Sequence, residues 1–138
     1  IVAPAYYENH ESNFNRDALT VLVTVPQPRS KGTVELASAN PLAAPKINPN
    51  FLADKTDLHV LTKGLEAVRK LAQATKNTVG DELLPGRKVE GESGFQKYIQ
   101  EHLMGLFLPV GTCRMGSDSN AVVDENLLVK GVQNLRIV

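Results

Sequence analysis

Residues 19–38 read LTVLVTVPQPRSKGTVELAS, and they predict two β-strands. Its first part, 19–26, is β-branched and apolar on both faces in its middle, which predicts a strand covered on each side. Residues 33–38 alternate apolar and polar side chains, which predicts a half-exposed strand antiparallel to the first. The prolines and the glycine between them prevent regular ladder pairing, so the two strands are joined by an irregular connection.

Two amphipathic helices are predicted downstream. The Pro- and Asn-rich residues 38–54 predict an extended, irregular connection, because a residue before proline avoids the helical region. Asp57 is the predicted N-cap of a helix of about five turns. Ser93 and Gln96 have capping-box spacing and predict the start of a second, shorter helix. The apolar stripes of the two helices are Leu58, Leu61, Leu65, Val68 and Leu71, and then Phe95, Tyr98, Ile99, His102 and Leu103.

The remaining segments predict short strands and loops. Residues 78–91 contain three glycines and a proline and predict a loop with one short strand near Leu83. Two further short strands are predicted at 121–124 and 132–138. Strands and helices therefore occur in separate blocks, which favours an α+β fold with antiparallel strands over a Rossmann unit. The apolar final strand indicates a chain truncated at its C-terminal end.

Composition excludes several classes of function. The chain has 138 residues, of which 42% are hydrophobic, enough for one domain with a core. Fifteen Lys plus Arg balance fifteen Asp plus Glu, so no bulk field attracts nucleic acid or anionic lipid. No apolar run is long enough to span a bilayer, and the first twenty residues lack the pattern of a signal peptide. We therefore expect neither a nucleic-acid partner nor a membrane partner.

Cys113 is the only cysteine, which excludes an internal disulfide and a multi-cysteine zinc site. It lies in an apolar segment, which favours a buried small hydrophobe. A nucleophilic thiolate paired with His102 stays open as an alternative. His102, His10 and His59 have no metal-site spacing, so no metal is expected.

Other candidate motifs are weak. Residues 110–116 carry two glycines but lack the phosphate-loop pattern and its strand-to-helix context. Asp81 and Glu82 are adjacent, and adjacent carboxylates diverge in most conformations, which favours solvated loop charges over an acid/base pair. The residues by themselves predict only a soluble α+β domain with a glycine-bearing loop near its end.

The closing part of the chain resembles the C-terminal substrate-binding domain of the glucose-methanol-choline (GMC) family of flavin-dependent oxidoreductases. The matching runs are PVGTCRMG at 109–116, AVVD at 121–124 and VKGVQNLR at 129–136, with PRSKGTVEL at 28–36 upstream. Asn40 stands where the family usually has aspartate. The resemblance covers residues 18–138, with 1–17 as a lead-in segment. It implies a sheet of about six antiparallel strands backed by helices, incomplete at its C-terminal end, which forms the wall of a substrate cavity.

The resemblance also implies a chemistry. Family members oxidise the CH–OH group of a small alcohol-type substrate by hydride transfer to FAD, which is bound mainly by an N-terminal domain of the same protein. This chain by itself is therefore expected to be inactive. In the family a histidine precedes the PVGTCRMG run and takes the proton of the substrate hydroxyl; here that position is Leu108, which cannot accept a proton. His102 is a possible substitute, and Pro109, Val110 and Gly111 are expected to let backbone approach the flavin.

Two alternatives stay open beside this interpretation. Leu108 favours a non-redox relative, such as a lyase, a cyclase or a pseudoenzyme used as a binding module. A stand-alone interaction domain is the third. Cys113 and Met115 are expected to serve packing, while Asn134 and Arg136 are expected to stabilise the last strand. The family resemblance favours an extracellular location.

Overall fold

In the computed structural model, the chain forms two compact units. The helical unit comprises residues 1–31 and 50–103, and the hairpin unit comprises 32–49 and 104–138. The residues that the structure describes are 2–3, 6–8, 11–13, 18–75 and 80–138.

Four short strands form two antiparallel pairs in the helical unit. Strand β1 (Val2–Ala3) pairs with β4 (Thr20–Val21), and β2 (Tyr6–Glu8) pairs with β3 (Glu11–Asn13). The strand predicted at 19–26 is therefore present but much shorter, since it spans Thr20 and Val21, which pair with Ala3 and Val2. Strands β1 to β3 lie in the lead-in segment 1–17, and the rest of that segment lies outside the described residues.

Helices α1 (Lys55–Ala74) and α2 (Gly91–His102) supply the core of the helical unit. Leu61 of α1 and Phe95 and Ile99 of α2 are buried. Both predicted helices are confirmed. These three buried residues belong to the predicted apolar stripes. Leu71, the last member of the α1 stripe, is 65% exposed and contributes nothing to the core.

Both predicted helix starts are wrong. Helix α1 is capped by Asp54, whose side chain accepts a hydrogen bond from the Thr56 amide at 2.8 Å. Asp57 lies in the first turn and is buried, because its carboxylate binds residues of another segment. Helix α2 begins at Gly91, whose φ of +68° allows a turn two residues before Ser93. No side chain caps α2, so the predicted capping box is not formed.

The loop between the helices is held by Arg69 of α1 instead of by strand pairing. The Arg69 guanidinium donates to both carboxylate oxygens of Glu82, at 2.9 and 2.5 Å. It also donates to the carbonyl of Val89 at 2.6 Å and to that of Gly86 at 3.2 Å. Its charged carbon lies 4.5 Å from the centre of the Phe95 ring. The strand predicted near Leu83 is absent from the described part of this loop.

The hairpin unit contains one antiparallel pair, β5 (Thr33–Glu35) with β6 (Lys46–Asn48), in which Val34 faces Ile47. The partner predicted for β5 was the strand at 19–26, and that prediction is wrong. Strand β6 falls inside the stretch predicted to be irregular. Asn40 closes the intervening turn, since its side chain accepts from the Leu42 amide at 3.0 Å. A proline-rich turn thus returns the chain onto β5.

Residues 104–138 form loops around a small core of Ala121 and Val123, which are 5% and 2% exposed. The strands predicted at 121–124 and 132–138 occur only as isolated bridges, Met115 with Val123, Val123 with Val129, and Leu128 with Arg136. The α+β class and the antiparallel strands are confirmed. Among the described residues, the strands form three two-stranded pairs and do not join into one sheet of about six. No helix in the described part of the chain has the length and apolar character that crossing a membrane requires.

Candidate functional site

The site predicted from the sequence lies in a segment that exposes its apolar side chains. We call residues 104–113, MGLFLPVGTC, the apolar segment; it contains no charged residue. Leu108 is 79% exposed, Phe107 83% and Val110 94%. Leu108, Pro109, Val110 and Gly111 are consecutive and all exposed, so these four predicted site residues lie on one accessible stretch of the hairpin unit.

Part of this segment also has a backbone without hydrogen-bond partners. Residues 107–112 form no hydrogen bond with any other described residue. Phe107 has a φ of +59°, a left-handed conformation that is unusual for a bulky residue. Gly111 has a φ of +102°, and a Cβ added there would meet no described atom within 4 Å. Backbone amides and carbonyls near Gly111 are therefore open to a ligand.

A network of hydrogen bonds fixes the chain immediately after the apolar segment. Arg114 and Asp118 form a two-pronged ion pair, with nitrogen to oxygen distances of 2.9 and 2.5 Å. This pair holds the pKa of Asp118 well below its ordinary value and raises the pKa of Arg114. The amide of Val122 donates to the Arg114 carbonyl at 3.0 Å, and the Lys130 ammonium donates to the Asp118 carbonyl at 2.8 Å. The segment therefore projects from a well-anchored base.

His102, the possible substitute base, is the last residue of α2 and belongs to the helical unit. Its side chain is exposed and stacks on Tyr98, with ring centres 4.2 Å apart. Its Nδ1 lies 2.9 Å from the Tyr98 carbonyl oxygen. Because a carbonyl only accepts, Nδ1 carries the hydrogen, and in the neutral ring Nε2 keeps the lone pair that could take a proton.

The remaining candidate residues are placed as follows. Cys113 is exposed, so the prediction of a buried packing residue is wrong; its neighbours Gly111, Thr112 and Arg114 are exposed as well, so no core forms around it. Met115 is 52% exposed, and Arg136 donates to the Asn126 carbonyl at 3.3 Å. His59 is exposed, whereas His10 lies outside the described residues. Within the described ranges, no three His, Cys, Asp or Glu side chains converge on a metal position.

The arrangement can bind by hydrocarbon contact and by backbone hydrogen bonds, and the one ionisable side chain of the apolar segment is the thiol of Cys113. No side chain of the apolar segment is a carboxylate, an imidazole or an amine. Phe107 was not predicted as a site residue, although its side chain is more exposed than that of Leu108. The LFL run at 106–108 could have indicated this residue, since three large apolar residues between a glycine and a proline are unusual for a surface loop.

Comparisons with known proteins agree with the resemblance. The GMC oxidoreductase family model for the C-terminal domain matches residues 28–138. The chain is 34% identical over 124 residues to the GMC oxidoreductase family protein Mala s 12 of Malassezia sympodialis, which covers 88% of the chain and 20% of that protein. It is 36% identical over 113 residues to an alcohol dehydrogenase [acceptor] of Pseudomonas putida, covering 80% of the chain and 20% of that protein.

A third relative is the oxygen-dependent choline dehydrogenase of Vibrio vulnificus, 33% identical over 132 residues, covering 93% of the chain and 24% of that protein. The chain thus spans about a fifth to a quarter of the length of these relatives. The family match includes the whole apolar segment and the network that anchors it. The chain belongs to the GMC oxidoreductase family, of which it represents the C-terminal domain.

Proposed function

We propose that this chain forms the substrate-cavity wall of an FAD-dependent oxidoreductase that acts on the CH–OH group of a small alcohol. The observation that carries the proposal is the apolar segment, because its exposed side chains and its unbonded backbone at 107–112 lie within the region 28–138 that matches the family. A solvent-facing run of Phe107, Leu108 and Val110 is unfavourable unless something covers it. The names of relatives as alcohol and choline dehydrogenases point to the same class of reaction.

The exposed backbone of the apolar segment is compatible with contact to the ring of FAD. A flat ring needs open backbone and apolar contacts, and Pro109, Val110 and Gly111 offer both, since a Cβ at Gly111 would meet only open space. When bound, FAD supplies the hydride acceptor for the carbinol carbon. The chain itself contributes the surface that positions the substrate and excludes water from it.

The proton of the substrate hydroxyl needs an acceptor, and Leu108 is not one. Loss of a general base lowers a rate by roughly 10²- to 10⁴-fold. His102 is our candidate substitute, because a neutral imidazole has one ring nitrogen that accepts a proton, while Leu108 marks the position where the family places its base. We therefore expect slow oxidation unless His102 or a residue outside this chain takes the proton.

The proposed partner is an N-terminal FAD-binding domain of the same protein. Its support is the length comparison, since the relatives are four to five times as long as the aligned region. Two-stranded pairs are marginally stable by themselves, so we also propose that β5 and β6 extend into the family's larger sheet in the complete protein. The 138-residue chain alone is then inactive. An extracellular location is part of this proposal.

The test compares the full-length protein with the 138-residue chain. Both are purified and saturated with FAD, and reduction of the flavin by a primary alcohol is followed by absorbance without oxygen. The proposal expects reduction in the full-length protein and neither tight FAD binding nor reduction in the short chain. Tight FAD binding and reduction by the short chain would contradict its inactivity.

A second candidate function is a non-redox relative, and Leu108 is the observation that favours it. The variant Leu108→His in the full-length protein separates the two, with Leu42→His as the control because Leu42 is also exposed, at 91% against 79% for Leu108. If the cavity is built for oxidation, His at 108 accelerates flavin reduction about 10²- to 10⁴-fold and His at 42 does nothing. No acceleration at 108 supports the lyase, cyclase or binding-module alternative.

A further inference from the structure

We propose that Arg114 and Asp118 are positioning residues, whose ion pair sets where the unbonded backbone at 107–112 lies. This inference rests on the proposed function and adds two residues to it, since that backbone is the part of the chain expected to contact the flavin ring. Because residues 107–112 form no hydrogen bond with any other described residue, their position depends on how the chain is held beyond them. Among the described residues that follow this stretch, Arg114 is the first that forms a hydrogen bond.

Arg114 is held through its backbone and through its side chain. Its carbonyl accepts from the Val122 amide at 3.0 Å and from the Val123 amide at 3.4 Å. Val123 is 2% exposed, so this contact ties Arg114 to the small core of the hairpin unit. Two nitrogens of the guanidinium donate to the two Asp118 carboxylate oxygens, and a two-pronged contact of this kind fixes orientation as well as distance.

Asp118 is itself held from two directions, so it gives the arginine a fixed partner. Its carboxylate also accepts from the Asn120 amide at 2.9 Å, and its carbonyl accepts from the Lys130 ammonium at 2.8 Å. Gly116 lies close to the pair, because a Cβ there would be 3.0 Å from Nη1 of Arg114 and 3.1 Å from Oδ2 of Asp118. The absence of a side chain at 116 therefore allows the backbone to approach the ion pair.

The exposure of the ion pair separates positioning from stability. The side chains of Arg114 and Asp118 are 43% and 53% exposed, and ion pairs on the surface contribute little to the free energy of unfolding. A displacement of about 1 Å in a group that orients a substrate, in contrast, lowers a rate by roughly 10²-fold. Loss of this pair is therefore expected to change a reaction rate much more than the melting temperature.

The test uses the full-length protein loaded with FAD and measures the limiting rate of flavin reduction by a primary alcohol without oxygen. Arg114→Gln and Asp118→Asn each remove the ion pair. We expect each variant to reduce the flavin about 10²-fold more slowly, with an unchanged dissociation constant for the alcohol and a melting temperature within about two degrees of the original. Arg87→Gln and Asp81→Asn are the matched controls, because they remove an exposed ion pair of the helical unit and leave the rate unchanged.

The double variant shows whether the two residues act through one contact. If they do, Arg114→Gln combined with Asp118→Asn is as slow as either single variant, since the second substitution removes nothing further. Effects that multiply to about 10⁴-fold would mean that the two residues act separately, and would overturn the inference.

Two readouts do not depend on turnover. Backbone hydrogen exchange, measured by mass spectrometry on peptides of the full-length protein, is expected to be faster over 114–123 in both single variants, because the amides that bind Arg114 and Asp118 lose protection. The circular dichroism of the bound flavin is expected to change as well, since this signal depends on the immediate surroundings of the ring. The control variants change neither signal.

These readouts keep the failure of this inference apart from the failure of the proposed function. Unchanged exchange over 114–123, or faster exchange with an unchanged flavin signal and reduction rate, would leave the ion pair a structural role only and overturn the inference. If the exchange and the flavin signal respond but primary alcohols never reduce the flavin, the proposed oxidation fails and the positioning role stands.

Discussion

Asp57 binds Ser30 across 27 residues of sequence: one carboxylate oxygen accepts from the Ser30 amide at 2.8 Å and from the Ser30 hydroxyl at 2.5 Å. The other oxygen accepts from the Arg29 amide at 2.8 Å. The Ser30 hydroxyl in turn accepts from the Asp54 amide at 3.0 Å. A turn that has no regular pairing is thereby fixed to the first turn of α1, because one buried carboxylate satisfies its backbone amides.

Replacing Asp57 by asparagine tests this anchor. An amide keeps the shape but has only one acceptor oxygen and no charge, so the Arg29 and Ser30 amides cannot all be satisfied. We expect Asp57→Asn to lower the melting temperature by several degrees in a thermal unfolding experiment. Asp54→Asn is the control, because asparagine caps helices about as well as aspartate. Equal melting temperatures for the two variants would contradict the anchor.

The same carboxylate predicts a dependence on pH. The hydrogen bond from the Ser30 hydroxyl, followed by those from the Arg29 and Ser30 amides, holds the pKa of Asp57 below its ordinary value of 3.8. A lowered pKa in the folded state means that the unfolded chain binds the proton first. The stabilisation is therefore complete above the ordinary value and is lost as the pH falls through the folded value.

Urea unfolding curves measured between about pH 5 and pH 2 check this. We expect the free energy of unfolding to fall as the pH is lowered, with a shallower slope in Asp57→Asn. Some slope remains in the variant, because Arg114 also lowers the pKa of Asp118. Parallel curves for the variant and the original chain would show that Asp57 does not contribute.

Gly64 permits a close approach inside the helical unit. A Cβ at Gly64 would lie 2.3 Å from Cγ1 of Val23, whereas a Cβ at Gly94 in α2 would lie 3.5 Å from the nearest atom, an ordinary contact. Alanine adds helix propensity of up to about 1 kcal/mol at either site. Overpacking opposes it by about 1–3 kcal/mol at Gly64 only. In chemical denaturation, we expect the free energy of unfolding to fall in Gly64→Ala and to rise in Gly94→Ala. A rise in Gly64→Ala would contradict the close contact with Val23.

Arg69 holds the loop between the helices through geometry that lysine cannot reproduce. Arg69→Lys keeps the charge but loses the fork that binds Glu82 and two carbonyls, so we expect a loss of about 2 kcal/mol in the free energy of unfolding. The control is Arg87→Lys in the same loop, since the Arg87 and Asp81 pair is 74% and 80% exposed and should contribute little. If both variants lose equal stability, the network around Arg69 is not the cause.

The two helices were predictable from the sequence because their apolar stripes are local patterns, whereas their exact starts were not. Asp54 and Asp57 are both good N-cap residues within one turn of each other. The choice between them depends on Ser30, a residue far away in sequence that occupies the Asp57 carboxylate. A local rule contains no information about that contact, so it selected the wrong aspartate.

Strand pairing was less predictable for a related reason. The alternation of apolar and polar residues predicts β5. Its partner β6 lies in a segment rich in proline and asparagine, where no alternating pattern indicates a strand. At the candidate site, the resemblance to the family predicts Leu108 and its neighbours, and this stays a prediction. Their exposure and free backbone are properties of the folded loop, and apolar composition alone predicted burial for Cys113.

Anaerobic mixing of the FAD-loaded full-length protein with a neutral primary alcohol is the most direct test of the central claim. The proposed function predicts that the flavin is bleached at a rate that saturates with alcohol concentration, and that one equivalent of aldehyde accumulates per FAD. A flavin that stays oxidised in both the original protein and Leu108→His, at every alcohol concentration, would contradict it.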